Sequence, residues 1–135
     1  MDSVKGAGII LLNSNNEVLL LLRDDKQEIL YPNMWDIPGG MVETGENPEQ
    51  TIRREMIEEM GLTDLGEFEL FRIFTYENIT DHVFWKRIDL NPVWIDLMEG
   101  QRIEYFNLER IRKTKLAFNY NNVLEEFFSE IVKNV

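Results

Sequence analysis

The stretch PGGMVETGENPEQTIRREMIEEMGL, residues 38–62, decides the fold of this chain. Asn47 is a good N-cap, Pro48 suits the first helical position, and Gln50 completes the spacing of a capping box. Gly61 stands where a left-handed glycine commonly ends a helix. The pattern therefore predicts a helix over about 48–60, with an apolar side chain every fourth residue facing the core.

Three glutamates share one side of this predicted helix. Glu55, Glu58 and Glu59 are spaced i, i+3 and i+4, so their carboxylates lie together and repel one another. Like charges at these spacings destabilise a helix, and a local conflict of this kind often marks a functional site. Because oxygen ligands without histidine or cysteine favour hard cations, the cluster predicts a Mg²⁺ or Mn²⁺ site. Taken alone, the same spacing also fits a solvated acidic helix face.

The flanking sequence predicts a mixed sheet with helices beside it, because apolar runs alternate with turn residues and one amphipathic segment. The expected elements, in chain order, are strands over 4–12 and 17–23 joined by an asparagine-rich hairpin, a loop over 24–36, a glycine turn over 37–40, two or three strands over 67–90, a strand over 102–106 and a helix over 120–133.

Composition narrows the class of protein. The 135 residues suit one domain, and we expect a single domain over 1–135. There is no cysteine, so disulfides, thiolate metal sites and cysteine nucleophiles are excluded.

The net charge of −11 argues against binding nucleic acid polymers or anionic membranes, and we expect a cytoplasmic protein. A small anionic substrate remains compatible if a divalent cation separates it from the carboxylates. The sequence does not fix the oligomeric state, and a homodimer is kept open.

The glutamates belong to a longer pattern, G-x5-E-x7-R-E-U-x-E-E-x-G-U with U apolar. Its defined positions are Gly40, Glu46, Arg54, Glu55, Met56, Glu58, Glu59, Gly61 and Leu62. The chain resembles the Nudix hydrolase family at every one of these positions, and segments outside the pattern resemble its MutT-like branch. The resemblance implies an α/β (α+β) fold class, with an α/β/α sandwich around a mixed sheet.

The resemblance also implies metal ligands. Glu55, Glu58 and Glu59 would hold Mg²⁺ or Mn²⁺, with the carbonyl of Gly39 as a further ligand. A loop glutamate matching Glu99 would join the metals when substrate is bound and share the role of general base with Glu55. Glu99 stands beside Gly100 between two strand-like segments, and we therefore expect its loop to be free to swing inward. Glu104, on the strand predicted next to it, is the competing carboxylate, and we expect it to face solvent.

Other residues implied by the resemblance support or bind rather than react. Arg54 and Glu46 would form an ion pair that fixes the catalytic loop and helix. Arg23 matches a contact to substrate phosphate, and an asparagine that reads a purine in MutT-like enzymes falls at Asn119 or Asn121. The chain departs from the pattern in one place that matters for substrate: it offers Asp81 where a second phosphate-binding arginine is expected.

The expected function is Mg²⁺-dependent hydrolysis of a nucleoside di- or triphosphate to the monophosphate, with oxidised purine nucleotides as the leading substrates. Three alternatives remain at this point. The chain could hydrolyse another diphosphate such as a nucleotide sugar, it could be a non-catalytic Nudix domain that binds nucleotides, or it could be an acidic cation-binding protein without turnover.

Overall fold

The computed structural model describes residues 4–133. Its seven strands form one mixed sheet of order β3-β2-β1-β6-β5, with β4 added to β1 and β7 added to β2. Only β1 and β6 run parallel among the described pairs. The strands are β1 (Val4–Leu12), β2 (Val18–Leu22), β3 (Trp35–Asp36), β4 (Gly39–Met41), β5 (Glu69–Tyr76), β6 (Ile79–Arg87) and β7 (Arg102–Phe106).

Helices cover both faces of this sheet. The helix α1 (Pro48–Met60) packs against one core cluster, which alternate β1 residues such as Ile9 and Leu11 share with Ile52 and Met56. The helices α2 (Leu108–Arg112) and α3 (Tyr120–Phe127) pack against the other cluster, which contains the intervening β1 side chains. Since β1 is apolar on both sides, it forms the middle layer, and the predicted α/β/α arrangement around a mixed sheet is confirmed.

The helix predicted from residues 48–60 is present with these bounds. Asn47 accepts a hydrogen bond from the backbone N–H of Gln50 at 2.8 Å, and the Gln50 side chain accepts one from the N–H of Asn47 at 2.8 Å. Gly61 ends the helix with φ 65°, a backbone conformation that glycine adopts without strain. Both ends of the helix that carries the glutamates are therefore fixed by local sequence.

Three expectations about the elements need correction. The predicted glycine turn is a short strand from residue 39, because β4 pairs with β1. The predicted loop ends in β3, which pairs with β2. The C-terminal helix is regular only to Phe127 and continues as a π-type turn over Phe128–Val132, closed by a hydrogen bond from the N–H of Lys133 to the carbonyl of Phe128 at 2.7 Å.

Two short helical elements were not predicted. α2 has five residues, too few for a periodic apolar pattern, and its signal is the N-cap Asn107, which accepts from the N–H of Arg110 at 2.8 Å. A single 3₁₀ turn occupies Pro92–Trp94. None of the helices in the described part of the chain has the length and apolarity needed to cross a bilayer.

Candidate active site

Three carboxylates converge where α1 passes the loop before β7. Glu55 and Glu59 project from successive turns of α1, and Glu99 reaches them from the loop. One carboxylate oxygen of each residue lies within 4.8 Å of the others. The structure thus brings together two glutamates of the sequence pattern and the loop glutamate predicted to join them.

Glu59 is the most buried member of this cluster, with 6% of its surface exposed. Its Oε1 accepts a hydrogen bond from the N–H of Gly39 at 3.1 Å. Burial, together with the negative charges of Glu55 and Glu99, raises the pKa of Glu59 to about 9, although the Gly39 hydrogen bond lowers it. Glu59 therefore requires a proton or a cation to remain buried among its acidic neighbours.

Glu55 is half-buried and lies between an arginine and a glycine. Burial raises its pKa, whereas the guanidinium of Arg54, whose Nη1 donates to Glu55 Oε1 at 2.8 Å, lowers it. A Cβ atom at Gly40 would stand 2.4 Å from the same oxygen. Gly40 is therefore needed as glycine, because any side chain would displace the carboxylate from the cluster.

Gly39 brings the backbone of β4 against β1. A Cβ there would lie 2.1 Å from the carbonyl oxygen of Ala7, and the φ of 149° disfavours other residues. The N–H of Gly39 is committed to Glu59, as described above. Its predicted role as a carbonyl ligand stays a prediction.

Arg54 and Glu46 form the predicted ion pair. Arg54 Nε donates to Glu46 Oε2 at 3.0 Å and Nη2 donates to Oε1 at 2.7 Å, a two-point contact. Thr51 also donates to Glu46 Oε1, at 2.7 Å. Mainly because of Arg54, the pKa of Glu46 is lowered to about 2. Since Arg54 also donates to Glu55, the pair links the loop before α1 to the carboxylate cluster.

Glu58 lies outside the cluster. Its side chain is 47% exposed, and its Oε2 accepts from Arg54 Nη1 at 3.2 Å. The structure therefore separates the three pattern glutamates of α1 into two clustered residues and one exposed residue that contacts Arg54. A change of side-chain rotamer would be needed for Glu58 to bind the same ion.

The loop that carries Glu99 is more ordered than predicted. We expected freedom to swing inward, but backbone hydrogen bonds hold both sides of Glu99: the N–H of Met98 donates to the Glu59 carbonyl at 2.7 Å, and the N–H of Gln101 donates to the Leu22 carbonyl at 2.8 Å. The competing carboxylate is on β7 instead. Glu104 accepts hydrogen bonds from Arg102 and Arg110, at 2.8 Å each, and is not in the cluster.

A cavity of about 560 Å³ opens beside the cluster. Its walls come from β1, β4, the β5–β6 hairpin and the segment before α3. The lining includes Gly6, Arg23, Asp36, Gly39, Gly40, Glu55, Tyr76, Asp81, Glu99, Phe118, Asn119 and Tyr120. The cavity is large enough for a nucleotide, and Glu55 and Glu99 of the cluster form part of its wall.

The predicted phosphate contact, Arg23, lies in this wall and is held in place. Its Nη1 donates to Asp36 Oδ2 at 2.9 Å, and its Nε donates to the Leu30 carbonyl at 2.9 Å. The guanidinium carbon lies 5.6 Å from the centre of the Phe118 ring. Nη2 makes no hydrogen bond to the described residues, so it is the part of the fork available to a ligand.

The two candidate asparagines are separated by the structure. Asn119 lines the cavity. Asn121 does not, because its side chain ties the segment before α3 together: Oδ1 accepts from the N–H of Leu116 at 2.9 Å, and Nδ2 donates to the Thr114 carbonyl at 2.8 Å. Asn119 is therefore the asparagine placed to meet a substrate.

The sequence interpretation missed two buried residues of the cavity. Asp36 has 7% of its surface exposed, and burial raises its pKa to about 7 although Arg23 lowers it. Tyr120, on α3, donates from its hydroxyl to Asp81 Oδ2 at 2.6 Å. A charged residue next to a buried apolar run was the available signal for Asp36, while Tyr120 lay hidden in the helical apolar pattern.

Comparisons with known proteins identify the family of this chain. Residues 2–127 match the family described as NUDIX domain. The 8-oxo-dGTP diphosphatase of Escherichia coli is 38% identical over 79 residues, which are 56% of this chain and 59% of that protein. The RNA pyrophosphohydrolase of Blochmanniella floridana is 31% identical over 120 residues, covering 86% of this chain and 68% of that protein. The chain thus spans less than two thirds of the Escherichia coli relative.

A solved structure gives the same fold. A chain described in a structural and functional study of MutT from Aliivibrio salmonicida and Vibrio cholerae superposes with a TM-score of 0.77 at 23% identity, covering 95% of this chain and 98% of that one. Identity at this level shows the fold alone. Since the family match runs across nearly the whole chain and includes the glutamates of the cluster, this protein belongs to the Nudix family.

Proposed function

We propose that this chain hydrolyses a nucleoside di- or triphosphate to the monophosphate in a reaction that depends on Mg²⁺ or Mn²⁺. The observation that carries the proposal is the convergence of Glu55, Glu59 and Glu99, of which Glu55 and Glu99 line a nucleotide-sized cavity. The relatives named as diphosphatase and pyrophosphohydrolase support the same reaction class.

The donor set fits a hard divalent cation. All three clustered donors are carboxylate oxygens, and the buried Glu59 has no cationic partner among the described residues. We assign Glu55, Glu59 and Glu99 as ligands, with Glu58 and the Gly39 carbonyl as further ligands. When bound, the ion would offset negative charge on the phosphate oxygens and lower the pKa of an attacking water.

The remaining roles, which are those of general base, positioning residue and substrate contact, belong to side chains of the protein. Water attacks one phosphorus of the diphosphate link, a new P–O bond forms, and the bridging P–O bond breaks. Glu55 and Glu99 share the role of base and take the proton of the water. Arg54 keeps Glu55 in position through the hydrogen bond at 2.8 Å. Arg23 offers Nη2 to a phosphate oxygen, and Asn119 contacts the base.

The charge of the protein also fits this assignment. A chain of net charge −11 repels a polyphosphate unless cations lie between them. The described cavity holds the carboxylates that would gather such cations. We therefore expect the nucleotide to bind weakly in chelator and tightly with Mg²⁺.

The proposed substrate class is a purine nucleotide, oxidised purines first. This choice is supported by the Escherichia coli relative, which is named an 8-oxo-dGTP diphosphatase. A different diphosphate, such as a nucleotide sugar, gives a different outcome in the panel assay. An RNA substrate, which the name of the Blochmanniella relative suggests, is tested by adding an RNA to that panel.

A panel assay tests the proposal. The purified chain is incubated with canonical and oxidised nucleoside triphosphates, nucleotide sugars and dinucleoside polyphosphates, each with Mg²⁺ and with excess chelator. We expect a nucleoside monophosphate as product, only with the metal, and ¹⁸O from labelled water in one phosphate product. Full turnover in chelator contradicts the metal mechanism. Binding of nucleotides without turnover assigns the chain to the non-catalytic alternative.

A further inference from the structure

The cavity contains a second acidic pair of residues that the hydrolysis does not use. Asp36 and Asp81 each have 7% of their surface exposed, and both line the cavity. Asp36 is already paired with Arg23 at 2.9 Å. Asp81 has no cationic partner at salt-bridge distance within residues 4–133, so its acceptor capacity is left for another group.

The two oxygens of Asp81 differ in their surroundings. Oδ2 accepts the hydroxyl proton of Tyr120 at 2.6 Å, which fixes the carboxylate from the α3 side. Oδ1 accepts no hydrogen bond from the described residues. Because the Tyr120 hydroxyl has a single proton and gives it to Oδ2, the pair presents Oδ1 as an acceptor.

A glycine keeps the space beside this oxygen open. A Cβ atom at Gly6 would stand 3.3 Å from Asp81 Oδ1, closer than nearly all real Cβ contacts. Gly6 and Asp81 are direct neighbours in the parallel β1–β6 register, and both line the cavity. A ligand group can therefore approach Oδ1 where a larger residue at position 6 would obstruct it.

Aromatic side chains in the same wall of the cavity offer surfaces on which a nucleobase can stack. Phe118 and Tyr76 line the cavity, and the rings of Tyr31 and Phe118 pack with centroids 4.4 Å apart. Aromatic faces of this kind stack on nucleobases whatever the base. Discrimination between bases then depends on a polar group at the base edge, and Asp81 supplies one.

We propose that Asp81, oriented by Tyr120, is a specificity-determining residue that accepts hydrogen bonds from the adjacent N1–H and 2-amino groups of a guanine-type base. The proposal rests on the nucleotide hydrolysis proposed above. Guanine and its oxidised form present two neighbouring N–H donors at this edge. Adenine presents one amino group beside the lone pair of a ring nitrogen, which a carboxylate repels.

The first test changes the ligand and leaves the protein intact. Binding of dGMP, dIMP and dAMP to the wild-type chain is measured by calorimetry with Mg²⁺, where no phosphoanhydride is present to be cleaved. We expect dGMP to bind at least ~10-fold more tightly than dIMP, which lacks the 2-amino group, and at least ~100-fold more tightly than dAMP, from the usual value of a paired edge contact. Binding of dAMP as tight as that of dGMP overturns the inference.

The second test changes the protein. In Asp81→Asn the amide oxygen takes the Tyr120 hydrogen bond and the NH₂ group faces the cavity, so an acceptor becomes a donor. We expect the preference for dGMP over dAMP to fall at least ~10-fold, with the effect in KM rather than kcat when the triphosphates are hydrolysed. Asp64→Asn makes the same chemical change at an exposed carboxylate outside the cavity, and it should leave the preference unchanged.

The two proposals fail in different ways. If the wild type neither binds nor hydrolyses any nucleotide, the proposed function is wrong and the role of Asp81 falls with it. If the wild type hydrolyses guanine nucleotides and Asp81→Asn keeps the full preference, only the role of Asp81 is wrong. Should Asp81→Asn fail to fold, as judged by circular dichroism, the comparison of dGMP, dIMP and dAMP on the wild type decides.

Discussion

Two groups of carboxylates lie at one cavity and differ in the groups that surround them. In the cluster of Glu55, Glu59 and Glu99, negative groups face one another, and the pKa of Glu59 rises to about 9. Asp36 and Asp81 are about as buried as Glu59, and each accepts a side-chain hydrogen bond, from a guanidinium for one and from a tyrosine hydroxyl for the other.

The difference shows what each group can bind. The acidic cluster has three carboxylates and one contacting cation of the chain, Arg54 on Glu55. It therefore favours a metal ion, because the ion removes the repulsion and the cost of burying charge together. Burial raises the pKa of both Asp36 and Asp81, while the guanidinium and the tyrosine hydroxyl lower it. A carboxylate that already has one such donor can still accept further N–H groups from a ligand. One cavity can therefore hold a metal-bound phosphate and read a neutral base.

The largest expected effect comes from the buried member of the cluster. Glu59→Gln keeps the side-chain size and the acceptor for the Gly39 N–H but removes the charge. We expect turnover with Mg²⁺ to fall by at least ~10³-fold, since metal-based charge stabilisation is worth several kcal/mol. Glu58→Gln is the matched comparison: its loss should be smaller, because Glu58 is exposed and held by Arg54. If Glu59→Gln folds and its turnover is within threefold of the wild type, Glu59 is not a metal ligand.

The loop carboxylate comes next. Glu99→Gln should lower kcat by at least ~10-fold, in keeping with the lower range for loss of a general base. Glu104→Gln is the control, because Glu104 is paired with Arg102 and Arg110 on the surface of β7 and should be nearly silent. Initial rates at saturating substrate measure both. The reverse ranking would show that Glu104 is the functional carboxylate.

The next prediction concerns Arg23, which pairs with Asp36 in the second group of carboxylates. Arg23→Ala removes a phosphate contact made alike in the ground and transition states, so KM should rise with little change in kcat. It also leaves Asp36 buried without its cation. Steady-state kinetics separate the two constants, and circular dichroism checks the fold. An unchanged KM would limit Arg23 to holding Asp36.

The smallest expected effect is on stability without metal. Glu59 has its pKa raised on folding, so its ionisation destabilises the folded state as the pH rises above the ordinary value of 4.5 toward about 9. Glu59→Gln should therefore unfold at a higher temperature than wild type in chelator at pH 7.5, by roughly 1 kcal/mol or more in free energy. The difference should shrink below pH 4.5, where Glu59 is neutral in both states. Thermal melts across pH measure it, and an equal Tm at every pH would contradict the strained cluster.

Local sequence predicted the elements that local interactions build. The caps at Asn47 and Gly61 set the bounds of α1, so the placement of Glu55 and Glu59 followed from spacing alone. Glu99 was predicted only from the resemblance to the Nudix family. It contacts Glu59 of α1 across 40 residues of sequence, and no periodic pattern of residues indicates such a contact.

Other features depend on contacts that no spacing reveals. Tyr120 and Asp81 are 39 residues apart, on α3 and β6, and meet only when both pack against β1. The exposure of Glu58 depends on the rotamer that Arg54 imposes, which the i, i+3, i+4 rule does not specify. Asn119 and Asn121 are two residues apart, yet only the fold of the segment before α3 decides which one reaches the cavity.

The backbone hydrogen bonds on either side of Glu99 have a kinetic consequence. Ordering a loop costs conformational entropy, and here that cost is met once, when the chain folds, rather than in every turnover. Gly100 adds to the constraint, since a Cβ there would lie 2.7 Å from the Leu21 side chain. The proposed base, Glu99, is thus held beside Glu55 and Glu59 without a nucleotide. No lid has to close over this side of the cavity, and the chemical step does not wait for a diffusive motion of residues 98–101, so solvent viscosity should leave kcat unchanged.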